Sequence, residues 1–343
     1  MRAVVLHAEH DLRVENRREP EPGPGQVLVR IANGGICGSD LHYFLHGGFG
    51  VVRLREPMVL GHEIAGHVAT LGEGVAGPKP GTLVAVNPSS PCGHCRFCRA
   101  GQPIHCSDMR FLGSAMRTPH VQGGFADYVV CNAENAVAMP EGVGPEKAAF
   151  AEPLAVCLHA VGQAPVRGAR VLVAGAGPIG LLTVIAARHA GAREIVVTDI
   201  LDRPLESARA VGADRVVNVA AEPDALDAFH ADKGWFDVFF EAAGQARTIN
   251  AALPAIRPRG TLVLVGQGAQ AELPVSTIVG KELVLRGSFR FAEEFALSAE
   301  LIAAGRVDVS PLLSAVMPVT DAGEAFLLAA DKSRAIKVQL TFA

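Results

Sequence analysis

The chain has 343 residues and no apolar run of the roughly 18 to 20 residues that a membrane-spanning helix requires. Its longest candidate, GPIGLLTVIAARHAGA, is too short and carries Arg188 and His189. The opening MRAVVLHAEHDLRVEN meets charged side chains within a dozen residues, unlike a secretory signal. A cytoplasmic protein without a membrane partner is therefore expected. Charge of one sign is also scarce: 31 Lys and Arg stand against 35 Asp and Glu, a formal net charge of −4. That balance gives no hint of a nucleic-acid or anionic-membrane partner. Internal repeats and low-complexity tracts are missing too. With 49% hydrophobic and 19% charged residues, the composition is that of a folded globular chain, long enough for two domains.

The pattern changes near residues 150 to 170. Before it, short β-like runs (AVVL, VLVRIA, EIAGHVATLG, TLVAVN) alternate with turns such as EPGPG and GPKPG. After it, apolar runs recur every 20 to 25 residues: VLVAG, IVVTD, RVVNV, FDVFFE, TLVLVG and LVLRGS. Helix-like segments, GLLTVIAARHAGA and RPLESARAVGA, lie between several of them. Strands alternating with helices predict an α/β fold with a doubly wound parallel sheet of the Rossmann type. The tail from about residue 288 leaves this rhythm and is expected to return to the first half.

VLVAGAGPIG places Gly175, Gly177 and Gly180 in G-x-G-x-x-G spacing between a predicted strand and a predicted helix. Gly175 permits the tight turn, Gly177 a close approach to a pyrophosphate, and Gly180 close helix–sheet packing. Pro178 and Ile179 complete the turn, whose helix N-terminus points at the phosphates. Asp199 follows Gly180 by 19 residues at the end of the next strand. An acid there bonds ribose hydroxyls and repels a 2′-phosphate, which favours NAD. Arg203 keeps NADP as the alternative.

Four of the seven cysteines fall in NPSSPCGHCRFCRAGQPIHC: Cys92, Cys95, Cys98 and Cys106, spaced C-x2-C-x2-C-x7-C. Stable disulfides are rare in the cytosol, so a metal site is the stronger reading. Four thiolates suit a tetrahedral structural zinc and leave no open position for a substrate. An iron–sulfur cluster fits less well, because the fourth spacing is long and no Cys-Pro follows. His94 and His105 read as exposed loop residues. A second group of ligand types is scattered: Cys37 and His42 in GGICGSDLHYF, His62, Glu63 and His67 in VLGHEIAGH, and Glu152 in FAEPLAV. Each is ambiguous alone, since a cysteine between glycines is more often packing and a Gly-His-Glu strand end can simply face solvent.

GGICGSDLHYF, MVLGHE, NPSSPCGHCRFC, AEPLAV and GAGPIG, in this order and spacing, resemble the medium-chain zinc-dependent alcohol and polyol dehydrogenases over essentially the whole chain. The resemblance implies a mainly β, GroES-like catalytic domain from residues 1–152 and 290–343, around a Rossmann NAD-binding domain at 153–289. It implies two zinc ions per chain, one catalytic and one structural. Cys37, His62, Glu63 and Glu152 match the catalytic-zinc positions, and which glutamate binds stays open. Ser39 and His42 match a proton relay. Tyr43 and Arg290 match positions near the substrate, and Val265, Gly266, Ser288, Phe289 and Arg290 positions along the cofactor. His67 is placed outside the first shell, and Cys131 and Cys157 as ordinary thiols. The implied activity is NAD(P)-dependent oxidation of a secondary alcohol of a sugar acid or a neutral polyol, by a homodimer or homotetramer. A sugar acid requires a cation for its carboxylate. Arg110, Arg117, Arg290 and Lys281 are candidates, and Arg117, in GSAMRTPH, is the expected partner. A non-catalytic binding or structural protein on the same fold would not need Cys37, Ser39, His42, His62, Glu63 and Glu152 together.

Overall fold

The computed structural model describes residues 1–267 and 272–342. Residues 268–271, within the expected Rossmann segment, and residue 343, within the expected catalytic segment, lie outside the described residues. Two sheets organise the molecule. The first is seven-stranded, with Gln26–Gly35 at its heart. That strand pairs with Glu63–Leu71 on one side and with Tyr128–Asn132 and Lys337–Thr341 on the other, always antiparallel. Consecutive buried residues in Gln26–Gly35 and at the start of Glu63–Leu71 show that both faces of these strands are covered over much of their length.

The second sheet is parallel and six-stranded. Its spatial order is Arg215–Asn218, Glu194–Asp199, Arg170–Ala174, Phe236–Glu241, Ile256–Leu264 and Val284–Gly287. In chain order this reads 3-2-1-4-5-6, the doubly wound arrangement. Val171, Leu172 and Val173 are all buried, because helices cover both faces of the central strand. The predicted runs all appear as strands. The TLVLVG run begins earlier than expected, at Ile256. Its pairing jumps from Phe236–Ile256 to Val238–Thr261, and the residues skipped include Pro258, which has no N–H for the ladder.

The row Ala174, Glu241, Leu264 and Gly287 is in register across four strands. The residues that follow, Gly175, Ala242, Val265 and Ser288, therefore line up along the carboxyl edge of the sheet, where the strand order reverses. Ligands of doubly wound sheets bind at this crevice.

The tail divides. Lys337–Thr341 joins the first sheet, whereas the helix Glu294–Ala303 packs on the helix Ala151–Gly162. Ser298 Oγ donates to the Ala151 carbonyl at 2.6 Å, and His159 Nδ1 lies 2.8 Å from Glu294 Oε1. Glu294 Oε2 also accepts from Ala292 N at 2.8 Å, tying down the backbone just before its helix. Burial opposes ionisation of Glu294. The His159 hydrogen bond and the Ala292 N–H outweigh it and hold the acid down at about 2.

A depressed carboxyl pKa stabilises the fold above the unfolded value and loses that effect as pH falls towards the folded one. Glu294→Gln should cost about 2 kcal/mol at pH 7. The gap to wild type should narrow once pH drops below the ordinary glutamate range. Urea midpoints of both proteins between pH 7 and pH 3.5 measure it, and a gap that widens on acidification contradicts this role.

Candidate active site

The site forms where the first sheet meets the helix Ala151–Gly162. Cys37 immediately precedes the helix Gly38–His46, and its backbone N–H donates to Asp40 Oδ2 at 3.0 Å. The other Asp40 oxygen accepts from Gly61 N at 3.2 Å, tying the turn before His62 to the same carboxylate. Asp40 thus locks two distant segments, and burial raises its pKa despite His62 and these N–H donors. Glu63 follows at the start of its strand, while Glu152 enters from the first turn of its helix.

The ligand atoms of Cys37, His62 and Glu63 lie within 4.8 Å of one another. His62 Nδ1 is buried without a hydrogen-bond partner among the described residues, with Asp40 Oδ1 3.8 Å away. An imidazole nitrogen, a thiol and a carboxylate within this reach form the mixed donor set of a catalytic zinc site. Burial, reinforced by Glu63, pushes the Cys37 thiol up to about 12. A divalent cation offsets that cost by stabilising the thiolate, so the residues present fit zinc. Glu152 is buried beside this group. Burial raises its pKa well above the carboxylate range; Glu63 and Cys37 add to the rise and His62 opposes it. His67 belongs to neither of the two metal-ligand clusters among the described residues.

Lys337 was not anticipated. Its Nζ donates to Glu63 Oε1 at 2.8 Å, Glu63 Oε2 at 2.7 Å and the Ile36 carbonyl at 3.1 Å, and the pair is almost fully buried. Burial pulls Lys337 down, but the Glu63 carboxylate beside it outweighs this and raises its pKa. The only hint in the sequence was one lysine inside the apolar run AIKVQLTF. Asp40 was also missed, although Cys37-x-x-Asp40 has the spacing of a capping box.

The four-cysteine cluster is separate. Its sulfur atoms lie within 4.8 Å of one another, with Cys95 to Cys98 at 3.5 Å and Cys95 to Cys106 at 3.9 Å. Tetrahedral ligands at the usual Zn–S length would be about 3.8 Å apart. Backbone N–H groups of Cys92, Cys95, Cys98 and Asp108 point at the sulfurs, as thiolates require. His94 and His105 are exposed beside it. Cys131 and Cys157 are buried thiols pushed up to about 12 by burial.

Ser39 lies next to Cys37 on the helix Gly38–His46, and His42 reaches solvent one turn further on. Burial of part of its ring, with the charge of His46, lowers the His42 pKa. Tyr43 is buried, and its hydroxyl accepts from Ala115 N at 3.0 Å, holding the loop that follows Phe111. Phe111 stands between two site groups: its ring centroid is 5.4 Å from that of His62, and the Arg290 guanidinium lies 4.1 Å above it. Arg290, Phe111, Ser114, Met116 and Arg117 line one cleft. Arg117 is paired there with Asp108. Arg290 touches the Met116 sulfur at 3.1 Å and has no carboxylate within ion-pair distance among the described residues. Burial lowers its pKa to about 10, against the opposing pull of Glu152 and Tyr43, so it is cationic at neutral pH. Lys281 is occupied with the Leu253, Pro254 and Ile256 carbonyls, and Arg110 is exposed.

At the sheet edge, Gly180 approaches the turn so closely that a Cβ would sit 1.8 Å from the Gly175 oxygen, whereas a Cβ at Gly177 would meet nothing within 4 Å. The open side of Gly177 is the face a pyrophosphate needs. Pro178 starts the helix Pro178–His189, Ile179 follows it, and Gly177 is its N-cap. Asp199 accepts from Ala176 N at 2.7 Å, Ile200 N at 2.7 Å and Leu201 N at 3.1 Å. It therefore closes the turn and keeps room for about one further donor. Arg203 is exposed nearby, Gly266 N donates to the Glu241 carbonyl at 2.9 Å, and Phe289 flanks Arg290. Ser288 Oγ is buried without a partner among the described residues.

Residues 23–141 match the alcohol dehydrogenase GroES-like domain family and residues 178–304 the zinc-binding dehydrogenase family. The chain is 47% identical over 318 residues to L-idonate 5-dehydrogenase (NAD(P)(+)) of Escherichia coli K12, covering 92% of each. It is 39% identical to sorbitol dehydrogenase of Gallus gallus, over 94% of this chain and 92% of that one. The crystal structure of L-idonate 5-dehydrogenase from Escherichia coli superposes with a TM-score of 0.95 at 44% identity, covering 99% of this chain and 98% of that one.

Metal analysis should find two zinc ions per chain. Cys98→Ser should remove one and lower the melting temperature; His62→Ala should remove the other with little change in melting. Loss of both ions from either single variant would sink the two-site assignment.

Proposed function

The chain belongs to the zinc-dependent, medium-chain alcohol dehydrogenase family and is an NAD(P)-dependent dehydrogenase acting on CH–OH groups, and from that premise we propose that it oxidises L-idonate reversibly to 5-keto-D-gluconate. The observation that carries the sugar-acid reading is Arg290, a buried-edge guanidinium without a carboxylate of its own, beside Glu152 and above Phe111. The likeness to the Escherichia coli enzyme supports it.

Cys37, His62 and one carboxylate hold the catalytic metal, and Cys92, Cys95, Cys98 and Cys106 hold the structural one. When bound, zinc would supply Lewis acidity towards the substrate hydroxyl and the nicotinamide would supply the redox capacity for its oxidation. Ser39 receives the proton and His42 passes it to solvent; its lowered pKa keeps the ring neutral at pH 7, ready to accept. Gly175, Gly177 and Gly180 cradle the pyrophosphate, and Asp199 takes a ribose hydroxyl, which favours NAD over NADP. Val265, Gly266, Ser288 and Phe289 follow the cofactor along the sheet edge. Arg290 takes the substrate carboxylate. Arg117, already neutralised by Asp108, sits at the mouth of the same cleft.

The likeness to sorbitol dehydrogenase favours a second reading, oxidation of a neutral polyol. Initial rates with L-idonate, D-gluconate, sorbitol, xylitol and galactitol, each with NAD and NADP, decide between them. L-Idonate with NAD should give the highest kcat/KM. Arg290→Ala should raise KM for L-idonate about 10- to 100-fold, the cost of one charge-assisted contact, and that for sorbitol far less. Arg117→Ala should shift KM only a few-fold. Equal losses on both substrates in Arg290→Ala would falsify the carboxylate role.

A further inference from the structure

The chain that leaves the four-cysteine cluster runs directly into the substrate cleft. Cys106, Asp108 and Phe111 line that cleft together with Arg117 and Arg290, around a volume of about 370 Å³. Two guanidinium groups therefore border one space, but they are not equivalent. Asp108 pairs with Arg117, while Arg290 has no carboxylate within ion-pair distance among the described residues.

Both members of the pair are anchored at the backbone. Asp108 N donates to Cys106 Sγ at 3.4 Å. The Arg117 carbonyl lies 2.6 Å from His120 Nδ1, and the Nε2 of that buried imidazole accepts from Arg55 N at 2.8 Å. Nδ1 is then the donor, and Arg117 is tied to a second segment. The Asp108 side chain stays 51% exposed, so an anion entering the cleft would meet its carboxylate. Among the side chains that line the cleft, Arg117 and Arg290 stand against Asp108, one positive charge in excess. One free guanidinium matches a carboxylate. A phosphate monoester carries about two negative charges near neutral pH and would find its second cation already taken. Selectivity of this kind comes from a repulsive group as much as from an attractive one.

We propose that Asp108 sets the charge this cleft accepts: by holding Arg117 it leaves one free cation, which admits a carboxylate and turns away phosphate monoesters. Asp108 is then a specificity-determining residue, and the substrates are unphosphorylated sugar acids. This rests on the sugar-acid reading, in which Arg290 meets the carboxylate.

The test runs in the reducing direction with NADH and three ketoses. 5-Keto-D-gluconate, fructose and fructose 6-phosphate end, away from the carbonyl, in a carboxylate, a hydroxyl and a phosphate. The wild type should use fructose 6-phosphate less well than fructose. Asp108→Asn frees Arg117, and the ratio of kcat/KM for fructose 6-phosphate to that for fructose should rise about 10-fold or more, the size of one charge-assisted contact. The rise should shrink at about 0.5 M salt, which screens exposed charges. Taking the ratio to fructose cancels any general damage to the protein. Adding Arg117→Gln to that variant should abolish the gain. An unchanged ratio in folded Asp108→Asn refutes the proposal, as does a wild type that takes fructose 6-phosphate as readily as fructose. If Asp108→Asn does not fold, Arg117→Gln decides. It leaves Asp108 unpaired in the cleft, so KM for 5-keto-D-gluconate should rise a few-fold while that for fructose holds, and equal shifts overturn the proposal. A wild type without preference for 5-keto-D-gluconate over fructose defeats the sugar-acid reading; the Asp108→Asn ratio, which does not involve that substrate, still decides whether Asp108 excludes phosphate.

Discussion

The buried charge pair of Lys337 and Glu63 is the interaction on which the active site depends. Cys37, Asp40, Glu63 and Glu152 bring acidic groups into one poorly hydrated region, where their mutual repulsion is weakly screened. Lys337 is the one buried lysine among the described residues, and it sits against this group. Asp40 is quieted differently, by two backbone N–H groups. What remains, a thiol, an imidazole nitrogen and one carboxylate, is a set that a divalent cation completes.

The same economy of position appears at the nucleotide edge. Register across the parallel sheet carries Gly175, Val265 and Ser288 into one line, though they are separated by more than a hundred residues of chain. Asp199 both closes the glycine turn and keeps capacity for a ribose. The two metal clusters divide their work by chemistry. Four thiolates saturate a tetrahedral ion and shape a lobe, while a mixed set with one thiolate leaves a position for an oxygen ligand.

The doubly wound half was legible in the sequence, because apolar runs at regular spacing and a glycine-rich turn are local signals. The four-cysteine loop was legible for the same reason: its ligands lie within fifteen residues. The scattered donor group of Cys37, His62 and Glu63 was legible only through resemblance, since no spacing relates Cys37 to His62 or Glu152. Within it, Arg117 was the expected cation and is found paired with Asp108, a contact no local pattern announces.

Residue type and short-range spacing by themselves determined the fold class, the glycine-rich turn and the four-cysteine loop, because each depends on neighbours along the chain. Tertiary structure alone decided which charges neutralise which. Lys337 meets Glu63 across 274 positions of sequence, over a glycine at Gly35, and Arg117 is paired with Asp108 while Arg290 has no carboxylate within ion-pair distance among the described residues. Such pairings depend on strand order and on burial, which raise the strength of a contact between groups that the sequence holds far apart.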